Sequence, residues 1–128
     1  MKANQKEIEA VSALPGPKRY EHFIKVVADR EEVWGLYNEG WALAATNESN
    51  QAVMPVWPKR EYAEHCSNAD WHGFKPKSIC LYEFIDEMIP GLNKEGIAIC
   101  VFYLPTDKGI IPTIDQLLAD LDRELEKY

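Results

Sequence analysis

The chain predicts an α+β fold, a predominantly antiparallel sheet of about four to five strands flanked by helices. Several stretches repeat apolar residues at spacings of three and four, the mark of an amphipathic helix. Others are short, aromatic or β-branched and bounded by Gly, Pro and Asn, as strands are. The run Ile97-Ala98-Ile99-Cys100-Val101-Phe102-Tyr103-Leu104 is apolar throughout and reads as a strand buried on both faces, central in the sheet. A length of 128 residues suits one domain, 1–128, that buries roughly two thirds of the surface its unfolded form exposes. With 46% apolar and 27% charged residues the composition is globular, and folding requires neither cofactor nor disulfide.

The first element is a short helix over residues 4–14, with Ile8, Val11 and Leu14 on one stripe and Asn4 and Glu7 at a capping-box spacing. Pro15-Gly16-Pro17 ends it, and Pro17 suits the first turn of the next helix. Over residues 18–30, Tyr20, Phe23, Ile24, Val27 and Ala28 form an apolar face opposite Lys18, Glu21, Lys25 and Asp29. Residues 33–37 and 41–45 read as a hairpin joined by Asn38-Glu39-Gly40, with Gly40 in the left-handed position. A polar loop over 46–51 leads to a third strand, 52–56, confined by Pro55 to an edge or an end.

Pro58 opens a helix through Cys66, with Tyr62, Ala63 and Cys66 inward and Lys59, Arg60 and Glu64 outward. Residues 67–77 read as a loop. Residues 81–92 form a helix, limited by Pro90-Gly91, whose inward residues are Leu81, Phe84, Ile85, Met88 and Leu92. After the strand 97–104 and a turn over 105–109, Ile110 and Ile111 pair beside that strand. Thr113 and Gln116 then cap a last helix with a stripe of Ile114, Leu117, Leu118, Leu121 and Leu125.

The balance of 14 basic against 21 acidic residues gives a net charge of -7, which disfavours a phosphate backbone or an anionic membrane as partner. No segment approaches the ~18 apolar residues of a spanning helix, and the N-terminus lacks the apolar run of a signal peptide. Cys66, Cys80 and Cys100 are odd in number and far apart, as free thiols in a reducing compartment are. The expectation is a cytoplasmic protein, monomeric or homodimeric.

His65-Cys66, His72 and Cys80 carry the ligand types zinc prefers, but not the paired spacing of two to four residues that structural sites use, so no metal is expected. No cysteine stands beside a base, Cys100 lies in an apolar strand, and His22 sits on an ordinary helix. The many carboxylates fall on polar helix faces. Asp120 and Glu124 have a like-charge spacing that implies exposure. Lys59, Arg60, Lys75 and Lys77 interleave with Trp57, Trp71 and Phe74 in the manner of a stacking platform for single-stranded nucleic acid, against the acidic total. No catalytic residue is assigned.

The tryptophans Trp34, Trp41, Trp57 and Trp71 fall within residues 34–71. Such rings either fill a core or form a recognition surface. Trp71, in a polar loop with Asn68, Asp70 and His72, is the best placed to reach a partner. Arg19-Tyr20 with Phe23, Glu32-Val33-Trp34-Gly35-Leu36, Gly40-Trp41-Ala42, Pro55-Val56-Trp57-Pro58, Tyr62-Ala63, Trp71, Pro76, Leu81 with Phe84, and Pro90-Gly91-Leu92 together resemble the bacterial domain-of-unknown-function family 2750. The resemblance runs from the second helix to the end and implies a small stand-alone bacterial protein; it supplies no activity, cofactor or catalytic residue. Read with the residues, it leads to a non-catalytic binding or protein-interaction module. The candidate surface is Trp57, Arg60, Tyr62, Trp71 and Phe74, and the partner is a protein or small molecule. The alternatives are a small enzyme joining His65 or His72 to a carboxylate in a pocket, and an antitoxin-like protective partner of a basic protein.

Overall fold

A computed structural model describes residues 5–45, 51–69, 71–104 and 109–127. Asn4, the loop 46–50, Asp70 and the turn residues 105–108 lie outside them, as do the side chains of Asn68 and Ala69. In chain order the elements are α1 (Gln5–Ser12), α2 (Gly16–Arg30), β1 (Glu32–Tyr37), β2 (Ala44–Ala45), β3 (Ala52–Val56), α3 (Arg60–Ala69) and β4 (Lys75–Cys80). There follow α4 (Leu81–Glu83), a π-helical turn (Phe84–Met88), α5 (Ile89–Lys94), β5 (Ala98–Val101) and α6 (Ile114–Leu125).

The fold is α+β, but its strands form two small sheets, ordered β1-β4 and β2-β3-β5, in place of one antiparallel sheet of four to five strands. The pairs β1/β4 and β2/β3 are antiparallel, whereas β3 and β5 run parallel. Between β3 and β5 the chain passes through α3, β4, α4 and α5, ample length for the crossover that parallel pairing requires.

The expected hairpin begins and is then interrupted. Tyr37 bridges Trp41, and the Ala42 N–H donates to the Leu36 carbonyl at 2.8 Å. Continuing that register would set Ala44 opposite Trp34. Trp57 occupies that place instead: the Trp34 N–H donates to the Trp57 carbonyl at 2.9 Å and the Trp57 N–H to the Trp34 carbonyl at 2.8 Å. Ala44 therefore pairs with Val53. The left-handed residue of the turn is Glu39 (φ 58°), not Gly40. The glycine that the hairpin requires is Gly35, where an added Cβ would stand 3.0 Å from the Trp41 ring.

β4 falls where a loop was expected. Lys75-Pro76-Lys77-Ser78 has little apolar content, and only Ile79 of the strand is buried, so alternation gave no signal. Its register with β1, Glu32↔Cys80 through Tyr37↔Lys75, is that of an edge strand, where lysine and proline are tolerated. The helix expected over residues 81–92, with Pro90-Gly91 limiting its end, continues to Lys94. Proline has no N–H to donate, and just before it the Ile89 N–H reaches back five residues to the Phe84 carbonyl, the π register that admits the ring.

β5 ends early because Phe102 takes φ 63°, yet the apolar run is buried through Leu104. Val101 exchanges hydrogen bonds of 2.7 and 3.0 Å with Ile110, as expected, so β5 lies between β3 and Ile110. Gly109 (φ 80°) permits this return: a Cβ there would meet the Val101 carbonyl at 2.7 Å. Trp57, Tyr62, Phe23, Phe84 and Phe102 are the largest buried rings.

The apolar stripes of α2 and α6 are as read, with Phe23, Val27, Leu117 and Leu121 fully buried, and the Thr113 hydroxyl accepts from the Gln116 N–H at 3.1 Å. Asp120 is not the exposed repulsive group that its spacing implied; its side chain is 15% exposed and accepts the Tyr20 hydroxyl at 2.6 Å. Burial, and then this carboxylate, push the Tyr20 phenol well above its usual range. Gln116 and Arg123 also reach the other Asp120 oxygen, at 2.9 and 3.4 Å, so removing the phenol leaves the carboxylate partnered. Tyr20→Phe is therefore expected to cost about 1–2 kcal/mol in urea unfolding, with an unchanged m-value.

Candidate functional site

The five sequence-predicted residues divide between interior and surface. Trp57 directly follows β3 and is 0% exposed; its indole Nε1 donates to the Tyr103 carbonyl at 2.6 Å. Tyr62, on the inner face of α3, is 1% exposed. Trp71 and Phe74 are partly exposed in the turn after α3, while Arg60 lies on the outer face at the start of α3, 3.6 Å from Glu64.

Trp71 is held from beneath. Its ring stands edge-on to Trp57 (centroids 6.4 Å apart, 77°) and to Tyr103 (5.0 Å, 68°). The Phe74 N–H closes the turn on the Trp71 carbonyl at 3.1 Å, with Gly73 in between at φ 89°. Buried Ser67 donates to the Phe74 carbonyl at 2.6 Å, tying the turn to α3. A partly exposed aromatic side chain is thus braced by two rings beneath it and by a hydrogen-bonded turn.

A polar cluster formed by α1, α2 and α3 escaped sequence reasoning. The Lys59 ammonium reaches the Glu7 carboxylate at 3.1 and 3.3 Å, and the Tyr62 hydroxyl donates to the same carboxylate at 3.0 Å. Burial alone would raise the Glu7 pKa, but hydrogen bonds from Lys59 and Tyr62 and the Lys59 charge outweigh it and hold the carboxyl below its usual 4.5. Burial, followed by the hydrogen bond to Glu7 and then the Glu7 charge, pushes the Tyr62 phenol well up. His22 lies beside this group, its ring 6.2 Å from Phe102, and its buried Nε2 meets no hydrogen-bond partner among the described residues. Phe102 also packs against Tyr62 at 4.9 Å. The only advance signal was an acidic residue on a short helix and a lysine at a helix start, each ordinary by itself.

His65 and His72, the histidines of the enzyme alternative, are both exposed, and the described residues hold no group of three His, Cys, Asp or Glu side chains suited to a metal. Cys66 and Cys100 are buried and Cys80 is exposed. A groove of about 630 Å³ between α2 and α6 is lined by Pro17, Tyr20, Ile24, Ile110 and Asp120. Four of its charged residues pair with one another, Arg123 with Asp120 at 3.4 Å and Lys127 with Glu124 at 3.2 Å. On another face, Lys77 lies 4.1 Å from the Tyr37 ring centroid and 5.6 Å from that of Trp41, a cation–π arrangement that occupies this lysine. No helix among the described residues is long and apolar enough to cross a membrane.

The His22 environment gives stability a definite pH dependence. Burial lowers the imidazole pKa below its usual 6.5; Glu7 opposes the shift, while Lys59 and Lys25 add to it. As pH falls through about 6.5 the unfolded chain takes up a proton that the folded chain refuses, so stability declines with acidification. Glu7 has the same sign at lower pH: its contribution is present above the ordinary carboxylate pKa and is lost as pH falls through the folded one. The melting temperature is expected to fall from about pH 7 to about pH 5, and His22→Gln to flatten that decline.

No curated protein matches the chain. A family model described as protein of unknown function (DUF2750) matches residues 20–121, a span that begins within α2, ends within α6 and includes Trp57, Arg60, Tyr62, Trp71 and Phe74. The chain belongs to this family.

Proposed function

We propose that the protein is a non-catalytic, cytoplasmic interaction module that binds another protein through the Trp71–Phe74 turn and Arg60, with Trp57 and Tyr62 as the buried support of that face. The observation that carries this reading is the Trp71 ring, partly exposed yet held edge-on against Trp57 and Tyr103. An aromatic anchor whose orientation is fixed in advance loses little conformational entropy on binding. Arg60 and Trp71 lie at opposite ends of α3, and at 1.5 Å rise per residue the helix sets these ends roughly 13 Å apart. That span fits comfortably within one side of a standard protein interface, ~800 Å². The net charge of -7 further suits a basic partner drawn in by long-range attraction, the property an antitoxin-like protein uses.

Tagged wild-type protein and the Trp71→Ala, Arg60→Ala double variant, matched for melting temperature, provide the test by capture from native cytosol followed by titration of the purified partner. Loss of a hot-spot aromatic is expected to weaken binding about 30-fold or more. An unchanged affinity for every captured partner would remove this face from consideration.

A further inference from the structure

The cluster at Glu7 has the composition of a ligand site whose ligand is supplied by the chain itself. Lys59 and Tyr62 direct three contacts of 3.0–3.3 Å onto one carboxylate. The Lys59 side chain is only 14% exposed and Tyr62 1%, so the donors are largely withdrawn from water and depend on an anion for their partner. The buried His22 Nε2 adds a polar atom facing no partner among the described residues. Lys59, Tyr62, His22 and Phe102 all lie within the span matched by the family model, residues 20–121, whereas Glu7 lies before it.

The helix that brings Glu7 is lightly attached. Val11 is the one residue of α1 in the buried set, with Ile8 and Leu14 packed at its margin. Pro15 separates α1 from α2, and Glu7 has the geometry of a plug on a short arm.

We propose that Lys59 and Tyr62, bordered by His22, form a binding site for a small carboxylate, and that Glu7 on α1 closes this site in cis. A free carboxylate of sufficient affinity takes the place of the Glu7 group, and α1 is displaced with it. This inference shares Tyr62 with the proposed interaction face but does not rest on Trp71 or Arg60. No covalent step is involved: the Lys59 ammonium and Tyr62 hydroxyl keep their protons and transfer their hydrogen bonds from one carboxylate to another. A tethered group competes at an effective concentration on the order of mM. A simple acid such as acetate should therefore fill the site readily only when the tethered carboxylate is removed, and a physiological ligand must add contacts of its own.

Acetate is the probe. Titrated into full-length Glu7→Ala at constant ionic strength with chloride as the balancing ion, it should raise the melting temperature saturably and shift the His22 and Tyr62 ring resonances. In wild type the midpoint should be higher by an amount on the order of mM, the effective concentration of the tethered group. Lys59→Met in the Glu7→Ala background should abolish both effects, and Glu7→Gln, which preserves shape and an acceptor oxygen, serves as the variant of choice if Glu7→Ala does not fold; its expected midpoint lies between the two. Acetate acting no differently from chloride on the variants, or equally on wild type, would overturn the proposal. Phosphate matching acetate would overturn the assignment to carboxylates.

Discussion

Trp57 is the residue on which most of this structure depends. Its backbone exchanges two hydrogen bonds with Trp34, joining the end of β3 to the middle of β1 and thereby linking the two sheets. Its indole N–H fixes the Tyr103 carbonyl, which also accepts the Cys66 thiol at 3.2 Å, so β3, α3 and the segment after β5 meet at one carbonyl oxygen. Its ring then forms the surface on which Trp71 rests. An indole is suited to this position because it fills a large apolar volume while offering a single polar hydrogen, and that hydrogen is satisfied.

The same residue explains why the strands do not form one continuous sheet. Two segments compete for the edge of β1 opposite β4: the returning arm of the hairpin and the end of β3. Trp41 keeps the position beside Tyr37, where the absence of a Cβ at Gly35 admits its ring. Trp57 takes the position beside Trp34. The remainder of the hairpin arm is left to pair with β3, which is why β2 is only Ala44–Ala45. Pairing by two tryptophans at separate points along one strand is a tertiary outcome that no local pattern specifies.

Where burial follows a regular period, the sequence was informative. The stripes of α2, α3 and α6, the Thr113 cap, the buried run around Ile99 and the return at Ile110 could all be read because each rests on spacing or on a local hydrogen bond. β4 was not legible, because an edge strand of lysine, proline and serine takes its geometry from β1 and not from its own composition. The π turn before Pro90 was not legible because it is indistinguishable from an α-helix in residue pattern. For the candidate site, the polar loop around Trp71 marked that ring as the one best placed to reach a partner, whereas the full burial of Trp57, between two prolines at the end of a strand, was not signalled. The Glu7, Lys59 and Tyr62 cluster joins residues more than fifty positions apart, and ordinary charged residues give no sign of such a meeting.

Residues 102 and 103 show how the two ends of α3 are served by one short piece of backbone. Phe102 packs on Tyr62, near the helix start and the Glu7 carboxylate, while Tyr103 packs on Trp71, in the turn that follows the helix end. The left-handed φ of Phe102 costs a non-glycine residue roughly 1–2 kcal/mol. Set against that cost are the Phe102 N–H bond to the Val56 carbonyl at 2.9 Å, the two hydrogen bonds accepted by Tyr103, and the burial of both rings. Each such hydrogen bond contributes about 1 kcal/mol net, and each buried ring adds more, so the strained residue is over-determined by its surroundings. A glycine at position 102 would relieve the backbone and lose the ring that supports Tyr62. The strain is thus retained because the chain must leave the strand and present two consecutive aromatic side chains to two different neighbours, which a regular extension of β5 would not do.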